Sequence, residues 1–154
     1  MLPIIEDKKS RSKLWVDIRE LSIKYVISVE KVKRFFEELA NGKLYATKCR
    51  NCESIYFPPQ ISCPICRTDD VEWIELSGDG VLLTYTKIYV KPKSFSHYDN
   101  YIVAVGRLKD GVNVTAWLRA DLDKVRVGAK VKLRVVKREP EGYLTYEWVL
   151  DQSG

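Results

Sequence analysis

The chain has 154 residues, which is one to one and a half ordinary domains and excludes a large multidomain enzyme. Hydrophobic residues make up 45% and aromatics 11%, enough to bury a core and to exclude a wholly disordered chain. The net charge of +5 with 31% charged residues fits either a phosphate-bearing partner or a mixed solvated surface with a small lysine excess.

The first apolar patch, residues 2–5, ends at Glu6 and is too short for a secretory signal. No run approaches the ~18 apolar residues that cross a bilayer, so a soluble, cytoplasmic protein without membrane association is expected. Trp15, Ile18, Leu21 and Tyr25 recur at helical spacing and predict an amphipathic helix beginning near Ser12. Val29, Val32, Phe35, Phe36 and Leu39 share one face of a second helix predicted over 29–40, with Ser28 as N-cap and Gly42 just past its end. Residues 1–42 therefore read as an N-terminal helical segment with nine basic and seven acidic residues.

Residues 43–76 change character. They hold all four cysteines, half of the prolines and short β-like runs at Lys43 to Lys48, Ile55 to Phe57 and Val71 to Leu76, with four basic against five acidic residues. Ser77-Gly78-Asp79-Gly80 reads as a turn between domains, since it lacks the spacing of a phosphate-cradling loop and no helix pattern follows. Residues 77–154, with thirteen basic and nine acidic residues, contain five strand candidates: 80–90, 101–108, 112–118, 130–138 and 143–150. Alternation is clear in Val112/Val114/Ala116/Leu118, in Val131/Leu133/Val135 and in Leu144/Tyr146/Trp148/Leu150. Turns at Lys109-Asp110-Gly111 and Pro140-Glu141-Gly142 supply hairpins. Five strands with no room for a long helix between 119 and 129 fit a small barrel of the OB type.

Cys49 and Cys52 form one C-x2-C pair, and Cys63 and Cys66 a second. Two such turns facing one another make a tetrahedral four-sulfur site for structural Zn2+, or for a single Fe. Two disulfides are the alternative, uncommon in a reducing compartment. Four protein sulfurs close the coordination sphere, and the metal supplies the folding free energy that so short a segment cannot find by burial. The residue after each pair, often Gly in such turns, is Glu53 or Arg67.

Phe35-Phe36, Gly42-Lys43-Leu44, Cys49-x2-Cys52, Phe57-Pro58-Pro59, Cys63-Pro64-x-Cys66, Trp73, Ser77-Gly78-Asp79-Gly80 and the five β-runs occur in that order. The set resembles the family of small acyl-CoA-associated proteins that join an N-terminal helical segment and a rubredoxin-like zinc ribbon to an OB-fold. The resemblance spans about residues 35–150 and departs from the family pattern at Glu53, Arg67 and Gln60. It implies a mainly β fold with N-terminal helices, a zinc ribbon over 43–76 and a five-stranded OB-fold barrel over 77–154. It also implies a non-catalytic subunit that works beside a thiolase or related acyl-CoA enzyme and helps bind or channel the CoA thioester.

Lys91, Lys93, Phe95 and Tyr98 lie in the loop after the first barrel strand, where an OB-fold commonly meets ligands. Tyr101, Arg107, Trp117 and Arg119 extend this base-plus-aromatic set along the next two strands. Acyl-CoA, with its phosphates, adenine and apolar arm, suits such a surface; single-stranded nucleic acid is the alternative ligand. Two acids against one base in the other candidate binding loop, Arg138 to Gly142, and only a modest charge surplus, disfavour a long phosphate backbone. No catalytic residues are expected: the cysteines are committed to metal, His97 reads as an exposed loop residue and Glu147 as an outward strand position.

Overall fold

The computed structural model describes residues 4–15 and 28–151. Ile4–Glu6 (β1) and Lys13–Trp15 (β2) pair antiparallel, with Ile4 opposite Trp15. This overturns the helix start expected near Ser12, since Lys13–Trp15 is a strand. The Asp7 carboxylate accepts hydrogen bonds from the backbone N–H of Lys9 and Ser10 and from the Ser10 hydroxyl, and so folds the intervening chain into a turn that returns β2 alongside β1. Trp15 thus ends a strand; the remaining helix positions, Ile18, Leu21 and Tyr25, lie outside the described residues.

Among the described residues there is one α-helix, Lys33–Ala40 (α1), entered through a 3-10 turn at Glu30–Val32. Among the described residues the architecture is therefore mainly β with one short helix, rather than with N-terminal helices. Phe35 and Leu39 form the buried face of α1. Ser28 does not cap it, since the α-helix starts at Lys33 with no side-chain cap. At its end Gly42 adopts φ +76°, with Gly42 N–H donating to Leu39 O and Lys43 N–H to Glu38 O, the paired bonds of a Schellman ending.

Tyr45–Cys49 (β3), Ile55–Tyr56 (β4) and Val71–Glu75 (β5) form an antiparallel sheet in the order β4-β3-β5. Then Asp79–Ile88 (β6), Tyr101–Leu108 (β7), Asn113–Arg119 (β8), Lys130–Arg138 (β9) and Tyr143–Leu150 (β10) close into a barrel in the order β10-β8-β7-β6-β9. The β10–β8 pairing is parallel and sets Glu147 opposite Trp117. Alternation turns Leu82, Ile102, Ala104, Val114, Leu118, Val131 and Leu133 inward around Trp148, which is fully buried and donates its Nε1–H to Val114 O at 3.1 Å.

Ribbon and barrel share one apolar core. Phe57 meets Phe35 of α1 edge-on at 5.8 Å and Tyr146 of β10 at 4.9 Å, and Leu44, Ala46 and Leu76 belong to the same cluster as the barrel interior. Between them Gly78 adopts φ +77° and approaches so closely that a Cβ would stand 2.7 Å from Leu133 O. The turn expected over 77–80 is thus shorter, a tightly packed link at Ser77-Gly78 with Leu133 N–H donating to Gly78 O at 2.7 Å, because Asp79 and Gly80 already belong to β6.

Candidate metal centre and ligand cleft

The two cysteine turns repeat one hydrogen-bond figure. In the first, Cys49 N–H donates to Ser54 O and Glu53 N–H to Cys49 O; in the second, Cys63 N–H donates to Thr68 O and Arg67 N–H to Cys63 O. Each figure needs its fifth residue in the left-handed region, and Glu53 and Arg67 sit there at φ +59° and +55°. The turns bring four free thiols together with all Sγ atoms within 4.8 Å of one another, and Cys52 Sγ 3.6 Å from Cys63 Sγ. A tetrahedron with ~2.3 Å metal–sulfur bonds has edges of ~3.8 Å, so the four side chains fit one thiolate-bound ion. The Tyr56 hydroxyl lies 3.0 Å from Cys63 Sγ, and Cys66 N–H donates to the same sulfur. Burial pushes the Cys63 thiol up, but these hydrogen bonds, Tyr56 first, outweigh it and bring the group to about 6, favouring the thiolate a metal requires. Because left-handed backbone costs ~1–2 kcal/mol at a residue with a Cβ, Glu53→Gly and Arg67→Gly should each raise stability by about 0.5–1 kcal/mol after the entropy that Gly adds to the unfolded chain. Denaturant unfolding of the metal-loaded variants measures this.

On the outer face of the barrel, an open cleft of about 990 Å³ is bordered by Lys87, Tyr101, Trp117, Arg119, Lys124 and Arg138, among others. Trp117 forms its wall. Tyr101 stacks on the indole at 4.1 Å and 17°, and the Arg138 guanidinium lies over it at 3.8 Å. Two groups so near the ring centre cannot share one face, so the indole is sandwiched. Behind it, Glu147 takes Arg138 Nη2 at 3.2 Å and Arg119 Nη2 at 3.3 Å, with its own side chain only 6% exposed. Glu147 points away from the barrel interior, as its register opposite Trp117 requires, yet it is buried because the Arg138 side chain, itself 11% exposed, closes over it. Glu147→Ala would leave Arg138 covered without its carboxylate and should cost about 3 kcal/mol; chemical denaturation followed by tryptophan fluorescence measures the loss.

The loop between β6 and β7 is tied down over the same face. Lys91 Nζ donates to Tyr98 O at 2.5 Å, and Phe95, in the 3-10 turn that Lys93 opens, packs 6.1 Å from Trp117 and 6.2 Å from Tyr101. Tyr98 meets Trp117 edge-on at 5.0 Å. The Tyr98 hydroxyl donates to Glu141, whose other oxygen lies 3.1 Å from His97 Nε2, and this joins the loop to the β9–β10 turn. Burial first, then the Glu141 carboxylate, push the Tyr98 phenol up to about 12, so it keeps its proton and remains the donor. Of the residues singled out from the sequence, Phe95, Tyr98, Tyr101, Trp117 and Arg119 therefore come together, with Lys91 bracing their loop. Arg107 does not join them: it stands six residues from Tyr101 on β7, about 20 Å along an extended strand. No helix among the described residues is long and apolar enough to cross a membrane.

Two family models match in tandem, the rubredoxin-like zinc ribbon domain of ChsH2 over residues 36–72 and the C-terminal OB-fold domain of ChsH2 over residues 73–136. A DUF35 domain-containing scaffold protein of Methanocaldococcus jannaschii is 30% identical over 132 residues, which are 82% of this chain and 94% of that protein. The chain belongs to the DUF35 family. A DUF35 domain-containing scaffold protein of Methanothermobacter thermautotrophicus is 32% identical over 108 residues, 67% of this chain and 81% of that protein. A probable enoyl-CoA hydratase alpha subunit of Thermomonospora curvata is 28% identical over 108 residues, 70% of this chain but 34% of that subunit. Among solved structures, an Ltp2-ChsH2(DUF35) aldolase chain matches with a TM-score of 0.68 at 23% identity, covering 82% of this chain and 98% of that one; at that identity the match speaks to the fold.

In this DUF35 chain the cysteine spacing points straight at the four sulfurs, and Arg138 and Glu141 fall in the second candidate binding loop, while Tyr56 and Glu147 go unrecognised as parts of either site. Tyr56 carries one signal, its place in the short strand between the two cysteine pairs. Glu147 carries none, since it reaches Trp117 through strand pairing. When a Zn2+ or Fe ion is bound, Cys49, Cys52, Cys63 and Cys66 would hold it, and its role is to fix the ribbon rather than to activate a substrate, because four sulfurs leave no open position.

Proposed function

We propose that this DUF35 chain is a non-catalytic accessory subunit that docks on a thiolase-type or related acyl-CoA enzyme and helps hold or channel its CoA thioester. The observation that carries this reading is an OB-fold face filled from within, with Trp117 sandwiched between Tyr101 and Arg138 beside a short cationic cleft. Single-stranded nucleic acid needs open aromatic platforms on a continuous positive track. Here the central indole has no free face, and Asp121, Asp123 and Glu139 interrupt the cations of the cleft. CoA makes smaller demands: one patch of cations for its phosphates and an apolar neighbour for its arm, which Lys87, Arg119, Lys124 and Leu122 supply.

The names borne by relatives support the accessory role, two being scaffold proteins and one a probable enoyl-CoA hydratase alpha subunit; the structural neighbour pairs ChsH2 with Ltp2 in an aldolase. The reading as non-catalytic rests on chemistry in place: the sulfurs face one another for a metal, and the buried carboxylate Glu147 is taken up by two arginines.

Titrating the purified protein calorimetrically with acetyl-CoA and with a single-stranded oligonucleotide, at low and physiological salt and with or without the partner enzyme, tests the reading. CoA-thioester binding with shallow salt dependence is expected. Binding seen only once the partner is added would mean that the two chains share the site. Tight oligonucleotide binding that falls steeply with salt, with no CoA signal, would overturn it.

A further inference from the structure

Arg107 stands away from the cleft, and its row across the outer face of the barrel differs from the neighbouring row at its centre, where Val81 takes the place of Asp79, and at its β10 end, where Asp151 rather than Val149 lies beside the β9 lysine. Across β6 and β9, Asp79 pairs with Lys132; its carboxylate takes Lys132 Nζ at 3.3 Å and Lys109 Nζ at 3.2 Å, so this row neutralises itself. Two residues along β6, on the same outer face, Val81 stands directly opposite Arg107 of β7 on one side and Lys130 of β9 on the other. This second row has two cations and no acid at its centre. Among the described residues neither Arg107 nor Lys130 has an ion-pair partner, whereas Val81 is 43% exposed between them. The row borders a groove of about 540 Å³ whose walls include Val81, Leu83, Leu108 and Val131.

We propose that this groove docks an acidic residue flanked by aliphatic side chains on a partner polypeptide, whose carboxylate completes the Arg107–Val81–Lys130 row as Asp79 completes its neighbour. Charge complementarity selects the sign of the partner. The apolar walls select the class: Val81 and Leu83 border the groove and offer aliphatic surface that inorganic anions cannot use. Exposed ion pairs contribute little individually, so the contact is weak alone and works as part of a larger interface, setting its register and excluding basic or neutral partners. It lies at the opposite end of β7 from Tyr101 and stands whether or not the cleft holds CoA.

The test is an amide-resolved NMR titration of the full-length, metal-loaded chain with the peptide acetyl-Leu-Glu-Leu-amide, with its Gln counterpart and with inorganic phosphate. Saturating shifts at Val81, Arg107 and Lys130 with the Glu peptide alone are expected, with Trp117 unmoved. Val81→Asp, which places a carboxylate inside the row, should abolish the response; Arg107→Gln should weaken it about fivefold and serves if the Asp variant folds poorly. An equal response to the Gln peptide, saturation by phosphate instead, a response that survives both substitutions, or no response up to the solubility limit of the peptide would each overturn the proposal. Acetyl-CoA added in a separate titration is read at Trp117, so failure of the cleft reading is distinguished from failure of this one.

Discussion

Cys63→Ser is expected to strip the protein of its metal ion and to unfold residues 43–76. Cys63 is 1% exposed, and the Tyr56 hydroxyl and the Cys66 N–H both converge on its sulfur, so no other donor can move in to replace it. Three sulfurs then remain to hold the ion, in a segment too small to fold by burial alone. The apparent contribution of a structural zinc site to folding is about 10–16 kcal/mol in isolated zinc-finger peptides, comparable to the whole stability of an ordinary domain, about 5–15 kcal/mol. The damage should also reach the barrel, because Leu44, Ala46 and Leu76 pack in the cluster that holds Trp148. Elemental analysis together with limited proteolysis of residues 43–76 reads both effects. A variant that keeps a full equivalent of metal and resists the protease would contradict the assignment of the four sulfurs.

Trp148→Ala is expected to be the most damaging substitution in the barrel, at about 3–5 kcal/mol. For a chain of this size that lowers the midpoint of thermal unfolding by about 6–20 °C. The indole is fully buried, and the chain makes room for it with two glycines: a Cβ on Gly106 would stand 2.5 Å from Trp148 Cζ2, and one on Gly80 would stand 3.3 Å from Trp148 Cη2. Gly106→Ala alone should therefore cost about 1–3 kcal/mol by overpacking. In the Trp148→Ala background the same change should cost far less, because the clash has gone. A thermodynamic cycle from denaturant melts measures this coupling, and strictly additive losses would show that the indole does not set the barrel's inner dimensions.

The β-architecture was legible because alternation is a local signal: Val114, Ala116 and Leu118 on one strand and Val131 and Leu133 on another announce their inner faces without reference to anything distant. The metal set was legible for the same reason, two close pairs at fixed spacing. The helix start expected near Ser12 is not found because Trp15 satisfies a helical period yet lies in a strand, its position set by hydrogen bonds from Lys9 and Ser10 to Asp7, which hydrophobic periodicity does not register.

The cleft was legible in part. Phe95, Tyr98 and Tyr101 are near neighbours in the chain, and Trp117 faces the same side as Tyr101 through the β7–β8 register. Arg138 and Glu147 arrive through β9 and β10, and it is the parallel β8–β10 pairing, the seam that closes the barrel, that puts Glu147 beside Trp117. No short-range pattern encodes that seam. Arg107 shows the converse: strand parity puts it on the outer face with Tyr101, but parity carries no information about the six residues that separate them along the strand.

The proposed role is tested most directly by the Michaelis constant of the partner enzyme for its CoA thioester, measured in the native complex and again after this chain is removed. A subunit that holds the thioester requires that constant to rise severalfold on removal and to recover when the metal-loaded chain is restored. An unchanged constant, in a partner that stays folded and active alone, would contradict a CoA-handling role for the DUF35 barrel.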